Sequence, residues 1–219
     1  AVDGPAVSGK SSAAKHLAKK LSFLYLDSGA IYRSITLAVL NGLKMNEATL
    51  SEQLNELELY LKPHPSGLGC LVFQKEEDIS EVIRTQEVSD NILPISGNPA
   101  VREWVTDFLR SKAQNSNVVM DGRDVGTVIF PQATYKFFIT ASLEARTERR
   151  MADLKNSQEQ YDYQEIYEML EKRDEGDRNR EVGPLIQAED AILIDNSELN
   201  LDQTVDKMIS IIQPLEEVV

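Results

Sequence analysis

The apolar positions of this chain fall into two patterns, one with the spacing of helices and one made of short uninterrupted runs. Between residues 14 and 21, apolar side chains recur three and four positions apart, which predicts a helix. Residues 28–40 predict a second helix, which Gly42 ends. The same two signals predict the remaining elements: buried strands at 117–120, 135–139 and 191–194, and helices at 99–114, 142–170 and 205–212.

Strands that alternate with helices predict a parallel sheet covered by helices on both faces, which is an α/β fold of three layers. The region 57–88 has a different pattern. Runs at 57–61 and 71–73 indicate short strands, and the prolines and glycines between them indicate a turn. We therefore predict a small β insert over 57–88 within a single domain that spans 1–219. Because the chain opens abruptly at Ala1, we expect the first strand to continue into a few upstream residues.

Composition narrows the class of protein. The chain has 219 residues, of which 42% are hydrophobic and 27% charged, and these values are typical of a globular domain with a buried core. The net charge of −13 argues against a general nucleic-acid-binding protein, which normally carries a basic face. A phosphate ligand remains compatible with this charge, because a few converging arginines set the potential of a cleft locally.

Signals for compartment and membrane association are few. Cys70 is the single cysteine, so we expect no internal disulfide and interpret this residue as a small packed side chain rather than a catalytic thiol. No apolar run approaches the roughly 18 residues of a membrane span, and no charged leader followed by an apolar stretch opens the chain. We therefore expect a cytoplasmic protein without a membrane partner.

Residues 4–11 carry the first chemical signal. Their sequence, GPAVSGKS, fits the pattern G-x-x-x-x-G-K-[ST] and lies between an apolar start and a helix. The glycines let backbone N–H groups point at phosphate oxygens, Lys10 can reach the β- and γ-phosphates, and Ser11 can bind Mg²⁺. The alternative is a chance glycine-rich turn before a helix. The residues predicted to bind ATP are Gly4, Pro5, Ala6, Val7, Ser8, Gly9, Lys10, Ser11 and Ser12.

Arginines elsewhere in the chain point to a second phosphate. Arg33, Arg123 and Arg180 are candidates for a clamp, because guanidinium groups match phosphate oxygens in pairs. Asp124 can accept a hydrogen bond from an exocyclic amine, and Arg102 can donate to a ring nitrogen or carbonyl. Cytosine and adenine both offer an amine beside an acceptor, whereas uracil offers a carbonyl that a carboxylate rejects. The residues alone therefore leave CMP and AMP open as acceptors.

Three segments carry a resemblance to a known family: LDSGAIYR at 26–33, MDGRDVGTVIFP at 120–131, and the arginine-rich stretch 173–185. Together with the glycine loop and PAVR at 99–102, they closely resemble bacterial-type cytidylate kinases over essentially the whole chain. The resemblance implies a P-loop NTPase-like fold and transfer of the γ-phosphoryl group of ATP to CMP or dCMP. It also implies Mg²⁺ as cofactor, ATP and CMP or dCMP as partners, and a monomer that binds no nucleic acid.

The resemblance also assigns roles to regions and residues. It implies that the insert lies on the acceptor side and that 150–170 forms a helical lid. It implies an acceptor site whose members contact the phosphate, sugar or base: Arg33 and Arg123 for the phosphate, Arg102 and Asp124 for the base, Asp177 with Arg173 for the sugar, Arg180 near the phosphates, and Ser28 and Tyr32 lining the pocket. It implies a catalytic set that balances charge on the transferring group: Lys10, Arg123, Arg180 and Asp121.

The expected metal ligands are Ser11 and, through water, Asp121, and Arg149 is expected in the ATP site. Asp121 stands at the end of an apolar strand, where P-loop enzymes place a metal-binding acid, although an aspartate before a glycine also suits a turn. The acceptor oxygen belongs to a phosphate that is already ionised at neutral pH. We therefore predict that the reaction needs no catalytic base.

Other residues also have a second interpretation. Asp27 precedes a helix and suits an N-cap as well as a site role. Arg146, Arg149 and Arg150 are spaced by three and four positions, which indicates a solvated charged face in isolation and a set of lid residues beside an ATP site. Leu93 stands where the family usually has a serine that helps to bind cytosine, which puts one base contact in question.

Two other functions fit part of the pattern. One is a P-loop kinase that acts on AMP, UMP or a metabolite such as shikimate, and the base-reading pair Arg102 and Asp124 argues against an acceptor without a base. The other is a nucleotide-dependent switch protein. The sequence contains no guanine-binding N-K-x-D motif, and a switch needs no arginine clamp for a second phosphate.

Overall fold

The structure is a computed structural model that describes residues 1–46, 48–155 and 161–212. The strands are β1 (Val2–Asp3), β2 (Leu24–Asp27), β3 (Leu59–Pro63), β4 (Cys70–Gln74), β5 (Glu77–Asp78), β6 (Val118–Gly122), β7 (Phe137–Thr140) and β8 (Ile192–Asp195). The helices are α1 (Lys10–Leu21), α2 (Ser28–Leu40), α3 (Leu50–Asn55), α4 (Gln86–Asp90), α5 (Ile92–Gly97), α6 (Pro99–Ala113), α7 (Leu143–Leu154), α8 (Tyr163–Asn179) and α9 (Leu201–Ile212). A 3₁₀ turn covers Val82–Arg84 and a π-helical turn covers Val125–Ile129.

The chain divides into two compact units. The first contains the described residues of 1–17 and 122–219, and the second contains those of 18–121. The α/β class with parallel strands and flanking helices, which the sequence pattern predicts, is confirmed. No helix in the described ranges is both long enough and apolar enough to cross a membrane.

The first unit is built on three parallel strands. β1 pairs with β7, with Val2 opposite Phe137, and β7 pairs with β8, with Ile139 opposite Ile194. All four of these side chains are buried, which is the pattern of a parallel strand covered on both faces. Helices α7 and α8 pack against each other beside this sheet.

The second unit contains the parallel pair β2 and β6, which are in register from Leu24 opposite Val118 to Asp27 opposite Asp121. Helix α2 follows β2 directly and buries an apolar face that includes Ile31. Helix α6 begins at a proline and is capped by the side chain of an asparagine, which accepts the N–H of Val101 at 3.1 Å. Caps of this kind satisfy the N–H groups that the first turn of a helix leaves unpaired.

Residues 59–78 form a separate antiparallel sheet in the order β3, β4, β5. On this sheet the rings of Tyr60 and Phe73 stack with centroids 5.1 Å apart, and Lys62 lies over the Phe73 ring. The strands expected at 57–61 and 71–73 correspond to β3 and β4. The role of this antiparallel sheet as an insert on the acceptor side remains a prediction.

The expectation of one helix over 142–170 is wrong. Helix α7 ends at Leu154 and α8 begins only at Tyr163, and positions 156–160 of the predicted lid lie outside the described residues. The N-terminus of α8 is marked by Glu165, whose carboxylate accepts the backbone N–H of Asp162 at 3.1 Å. Asp162 and Glu165 form a capping box, and the spacing Asp-x-x-Glu is a sequence signal for a helix start.

Candidate active site

The glycine loop of the first unit can be built only with glycine at its two ends. Gly4 has φ 154°, and a Cβ at this position would lie 2.0 Å from the carbonyl oxygen of Ile139. Gly9 has φ 80°, and a Cβ there would meet Asn196 at 3.3 Å. Gly4 is required by the close approach of the Ile139 carbonyl, and Gly9 is favoured by its positive φ, because side chains rarely adopt these backbone angles.

Val7 holds the centre of the loop in an unusual conformation. Its φ is 57°, a left-handed value that β-branched residues rarely adopt. Its side chain packs against a buried cluster formed by Ala6, Ile166 and Leu170. This contact joins the loop to α8 and offsets part of the cost of the strained backbone.

The lysine of the loop is held in place by the loop itself. Lys10 is buried, and its Nζ donates to the carbonyl oxygen of Pro5 at 3.1 Å. Ser8 is fully buried, and its hydroxyl has no hydrogen-bond partner among the described residues. Ser11 is half-buried and Ser12 is exposed, so the predicted members of the loop differ in how far water reaches them.

Arg149 closes the loop from one side, together with a residue that no motif singles out. Its Nη2 donates to the backbone oxygen of Asn196 at 2.7 Å, and its Nη1 donates to the side-chain oxygen of Asn196 at 3.1 Å. The side-chain amide of Asn196 donates in turn to the carbonyl oxygen of Ser8 at 2.9 Å. The one available signal for Asn196 is its position two residues after the last predicted strand, at 191–194.

Arg146 is a structural residue under the loop. It is buried, it donates to the carbonyl oxygens of Ala141 and Ala6 at 3.1 Å each, and it lies 2.7 Å from Asp174. The interpretation of Arg146 as part of a solvated charged face is therefore wrong. Its charge is balanced by Asp174 on the neighbouring helix, a partner that local spacing does not reveal.

Four of the predicted acceptor residues meet in the first unit, in what we call the Asp177 cluster: Arg123, Asp124, Asp177 and Arg180. Arg123 Nε donates to Asp177 at 2.6 Å. Arg180 lies 3.7 Å from Asp177 and 3.5 Å from Asp124, and its Nε also donates to the carbonyl oxygen of Gly183. Two guanidinium groups and two carboxylates thus form one connected, charge-balanced group.

The charges around Asp177 outweigh its burial. Burial acts to raise the pKa of Asp177, but the ion pair and hydrogen bond with Arg123, followed by the charges of Arg180 and Arg173, hold it below its usual value. Arg173, which is predicted to stand near the sugar, is therefore close enough to act on Asp177 electrostatically. Asp177 is ionised at neutral pH and can accept hydrogen bonds from hydroxyl groups.

A buried carboxylate that the motifs leave unassigned anchors the loop after Asp124. Asp3 accepts the backbone N–H of Val125 at 2.8 Å and that of Gly126 at 2.7 Å. Burial raises the pKa of Asp3, and the two backbone hydrogen bonds oppose that rise. A Cβ on Gly126 would lie 3.3 Å from this carboxylate, so the glycine admits the close approach.

The second unit contains another group of charged residues, which we call the Asp27 cluster: Asp27, Arg33 and Arg84. Asp27 caps α2 by accepting the N–H of Ala30 at 2.9 Å. It also lies 3.0 Å from Arg33 Nη2 and 3.2 Å from Arg84 Nη2. The cap interpretation of Asp27 is confirmed, and the same carboxylate also holds the predicted phosphate ligand Arg33.

Asp121 is held by two neighbours on adjacent elements of the second unit. The Tyr25 hydroxyl donates to Asp121 Oδ1 at 2.5 Å, and the Ser28 hydroxyl donates to the Asp121 backbone oxygen at 2.9 Å. Burial, followed by the charge of Asp121, raises the pKa of Tyr25 well above its usual value, so the hydroxyl stays protonated and remains a donor. No motif singles out Tyr25, although its alternation within an apolar strand predicts burial.

Arg102 and Tyr32 form the last predicted group. Arg102 is buried at the start of α6, where its Nη1 donates to the carbonyl oxygen of Ser96 at 2.9 Å. Its guanidinium lies 5.7 Å from the centre of the Tyr32 ring. Leu93, the residue at the questioned base-contact position, is one of the exposed apolar side chains of α5.

A glycine loop with a buried lysine, placed between a parallel strand and a helix, defines a P-loop nucleotide-binding protein. Comparison with known proteins gives the family. The family model described as cytidylate kinase matches residues 1–214. The chain therefore belongs to the cytidylate kinase family, and the resemblance seen in its motifs is confirmed.

Individual members of this family are similar in sequence to this chain over nearly their whole length. The cytidylate kinase of Carboxydothermus hydrogenoformans is 43% identical over 97% of this chain and 96% of its own length. That of Caldanaerobacter subterraneus is 44% identical over 95% of this chain and 91% of its own length. That of Acholeplasma laidlawii is 36% identical over 100% of this chain and 96% of its own length.

Proposed function

We propose that this enzyme transfers the γ-phosphoryl group of ATP to CMP or dCMP, which yields ADP and CDP or dCDP. The Asp177 cluster is the observation that carries this proposal beyond the family name. In it, residues proposed to contact the base, the sugar and the phosphate are bonded to one another, through Arg123 to Asp177 at 2.6 Å and Arg180 to Asp124 at 3.5 Å.

The donor side of the site is the glycine loop. Its backbone N–H groups, at the start of α1, are proposed to hold the ATP phosphates, and Lys10 leaves Pro5 to reach the β- and γ-phosphates. The buried Ser8 hydroxyl, which has no partner in the described part of the chain, is a donor that a phosphate oxygen satisfies. Arg149 and Asn196 keep the loop closed behind the phosphates.

The proposed metal ligands suit Mg²⁺ in their chemistry. Magnesium takes oxygen ligands and usually keeps several waters, and it is bound through one or two protein oxygens together with substrate phosphates. Ser11 supplies a hydroxyl, and Asp121 supplies a carboxylate whose position is fixed by Tyr25 at 2.5 Å. When bound, Mg²⁺ neutralises charge on the phosphate oxygens.

On the acceptor side, Arg33 is proposed to hold the phosphate. Asp177, together with Arg173, is proposed to hold the sugar hydroxyls. Asp124 accepts a hydrogen bond from the cytosine amine, and Arg102 donates a hydrogen bond to a ring nitrogen or carbonyl of the base. Ser28 and Tyr32 line this side, although the Ser28 hydroxyl already donates to the backbone of Asp121, so its role is in the shape of the pocket.

The reaction forms a bond from an acceptor phosphate oxygen to the γ-phosphorus of ATP. It breaks the bond from that phosphorus to the oxygen that bridges the β- and γ-phosphates, and this oxygen leaves with ADP. Because the attacking oxygen is already ionised, no side chain has to remove a proton. Positioning and charge neutralisation supply the catalysis, and the proposed groups are Lys10, Arg123 and Arg180. Closure of the predicted lid at 150–170 excludes water, which would otherwise hydrolyse ATP.

The proposal extends to the setting of the enzyme. We propose that it acts in the cytoplasm as a monomer, with nucleotides as its partners and no nucleic acid or membrane. The net charge of −13 supports the exclusion of nucleic acid.

A panel of acceptors tests the proposed substrate. ADP release from ATP is measured with CMP, dCMP, UMP, AMP and shikimate as separate acceptors, with an acceptor-free reaction as the control. The proposal requires turnover with CMP and dCMP well above UMP and AMP. Preference for AMP would support the other kinase assignment, and ATP binding without turnover on any acceptor would support a switch protein.

A further inference from the structure

The turn that follows Asp124 begins without a cap from the Asp124 side chain. Asp124 precedes the π-helical turn Val125–Ile129, and its backbone oxygen accepts the N–H groups of Val128 at 2.8 Å and Ile129 at 3.2 Å. Its carboxylate makes no capping hydrogen bond to this turn. Aspartate is one of the residues that most often cap a helical turn through the side chain, so this position departs from the usual local contact.

Asp3 supplies the cap from a different strand. This residue ends β1, and each of its two carboxylate oxygens accepts one backbone N–H, from Val125 at 2.8 Å and from Gly126 at 2.7 Å. The first N–H groups of a helical turn have no partner within the turn. Asp3, Val125 and Gly126 are all buried, so these two N–H groups need an acceptor from the protein itself.

The cap from Asp3 leaves the Asp124 carboxylate to another contact. That carboxylate is buried and lies 3.5 Å from Arg180, within the Asp177 cluster. Burial raises the pKa of Asp3, and the negative charge of Asp124 adds to that rise, so the two carboxylates repel each other. The Asp124 side chain therefore has two competing positions, one on its own turn and one facing Arg180, and Asp3 occupies the first.

The same carboxylate stands at the start of the glycine loop. Asp3 directly precedes Gly4, and it is held in the sheet opposite Phe138 of β7. The strand end that begins the donor loop thus also holds the backbone that directly follows Asp124. Because this anchor is part of a paired strand, it fixes the position of Asp124 relative to the glycine loop.

We propose that Asp3 is a positioning residue for base selection. It caps the turn in place of Asp124, and thereby keeps the Asp124 carboxylate facing Arg180 and available to the amine of the acceptor base. Without Asp3, the Asp124 carboxylate turns back to the unpaired N–H groups, because aspartate readily bonds the backbone N–H two residues further along, here that of Gly126. This inference rests on the proposed function, in which Asp124 reads the base.

The test compares two acceptor bases in four proteins. The ratio of kcat/KM for CMP to kcat/KM for UMP is measured for the wild type, Asp3→Asn, Asp124→Asn and the double variant. Asp3→Asn keeps the size of the side chain but turns an NH₂ group toward one of the two N–H donors, so one cap hydrogen bond is lost. We expect this variant to lower the CMP/UMP ratio about fivefold or more, and to raise the KM for CMP more than the KM for ATP.

The double variant separates positioning from stability. Once Asp124 is an amide, Asp3 has no carboxylate to position, so adding Asp3→Asn to Asp124→Asn should leave the CMP/UMP ratio of that single variant unchanged. Asp174→Asn is the matched control, because it removes the charge of another buried carboxylate of the same unit, which pairs with Arg146 at 2.7 Å. It should lower the Tm and leave the CMP/UMP ratio at the wild-type value.

A smaller change at the same contact covers the case in which Asp3→Asn does not fold. Gly126→Ala places a Cβ 3.3 Å from the Asp3 carboxylate, and this crowding should lower the CMP/UMP ratio about twofold. A ratio that stays at the wild-type value in the folded variants, or that falls further in the double variant than in Asp124→Asn, would overturn the inference and make Asp3 a structural anchor only. Failure of the proposed function is distinguishable, because the wild type itself would then not prefer CMP over UMP.

Discussion

The Asp177 cluster and the Asp27 cluster use the same two side-chain types with different charge balance. The first pairs two arginines with two carboxylates, and the second places two arginines around one carboxylate. A balanced group holds its own members in place, which suits the carboxylates Asp177 and Asp124 for contacts to sugar and base while Arg123 and Arg180 are proposed to reach the phosphates. An unbalanced group attracts an anion, which suits a phosphate. The difference is that the Asp177 cluster has one carboxylate for each arginine, whereas the two arginines of the Asp27 cluster share one.

The largest expected effect lies outside both clusters, at the glycine loop. Lys10→Ala should lower kcat by a factor on the order of 10³, because the variant loses the positive charge that is proposed to stabilise the β- and γ-phosphates in the transition state. The affinity for CMP should stay near that of the wild type. Lys207→Ala, which removes an exposed lysine of the same unit, is the control. A variant that retains a tenth of the wild-type kcat would contradict the donor-site assignment.

Breaking the balanced cluster should give the next largest effect. Asp177→Asn removes the carboxylate that faces Arg123 at 2.6 Å, and we expect kcat/KM for CMP to fall about 10²-fold, with a smaller loss for ATP. The corresponding change in the unbalanced cluster, Asp27→Asn, keeps an oxygen for the α2 cap. It should therefore cost less stability than Asp177→Asn. Equal losses in the free energy of unfolding for Asp27→Asn and Asp177→Asn would remove the distinction between the clusters.

The same substitution has a predicted pH dependence. The pKa of Asp177 is lowered in the folded state, so its ion pairs stabilise the fold above the unfolded value of about 3.9 and lose that effect as pH falls through the folded pKa. In urea unfolding, the wild type should be more stable than Asp177→Asn at pH 7, and the gap should narrow below about pH 4. A gap that stays constant down to pH 2 would contradict the ion-pair account.

Asp124→Asn tests base reading within the balanced cluster. An amide oxygen still accepts a hydrogen bond but without charge. The transition state with CMP should therefore lose about 1–2 kcal/mol of stabilisation, which corresponds to a fall of roughly tenfold in kcat/KM. The amide can also turn its NH₂ toward the uracil carbonyl, so the preference for CMP over UMP should shrink. Asp107→Asn, on an exposed face of α6, is the control. If CMP and UMP lose the same factor, Asp124 serves only to orient Arg180.

Tyr25→Phe should have the smallest effect on turnover. Asp121 loses a hydrogen bond of 2.5 Å in a buried position, which should cost about 1–3 kcal/mol of the free energy of unfolding. We expect kcat to fall about threefold to tenfold, because the carboxylate remains but is less firmly held. Tyr60→Phe removes a hydroxyl from the antiparallel sheet and should leave both quantities unchanged. An unchanged free energy of unfolding in Tyr25→Phe would show that the hydrogen bond between Tyr25 and Asp121 does not stabilise the fold.

Local signals in the sequence predict the fold and the glycine loop well. Residues 28–40 form α2 with the predicted bounds, because the cap, the apolar spacing and the terminal glycine all lie within one continuous segment. The motif at residues 4–11 fixes the loop geometry for the same reason. The break between α7 and α8 is not predicted, because the prediction gives the charged composition of the segment more weight than the Asp-x-x-Glu signal for the start of α8.

The residues that the motifs do not single out share one property, namely that their partners are distant in sequence. Asp3 bonds residues 125 and 126, Tyr25 bonds Asp121, and Arg84 bonds Asp27. Spacing within a helix or strand predicts which face is buried, but it carries no information on which polar group meets another across the fold. Arg146 illustrates the consequence, because its charge suggests solvent and its partner on α8 makes burial possible.

The most direct test of the central claim follows the phosphorus atom itself. ATP labelled at the γ-phosphate is incubated with the enzyme, Mg²⁺ and either CMP or dCMP, and the products are separated. The account predicts that the label appears in CDP or dCDP in equal amount to the ADP formed, and that little becomes inorganic phosphate. Label found mainly in inorganic phosphate, or transferred to UMP or AMP in preference to CMP in a mixed reaction, would contradict it.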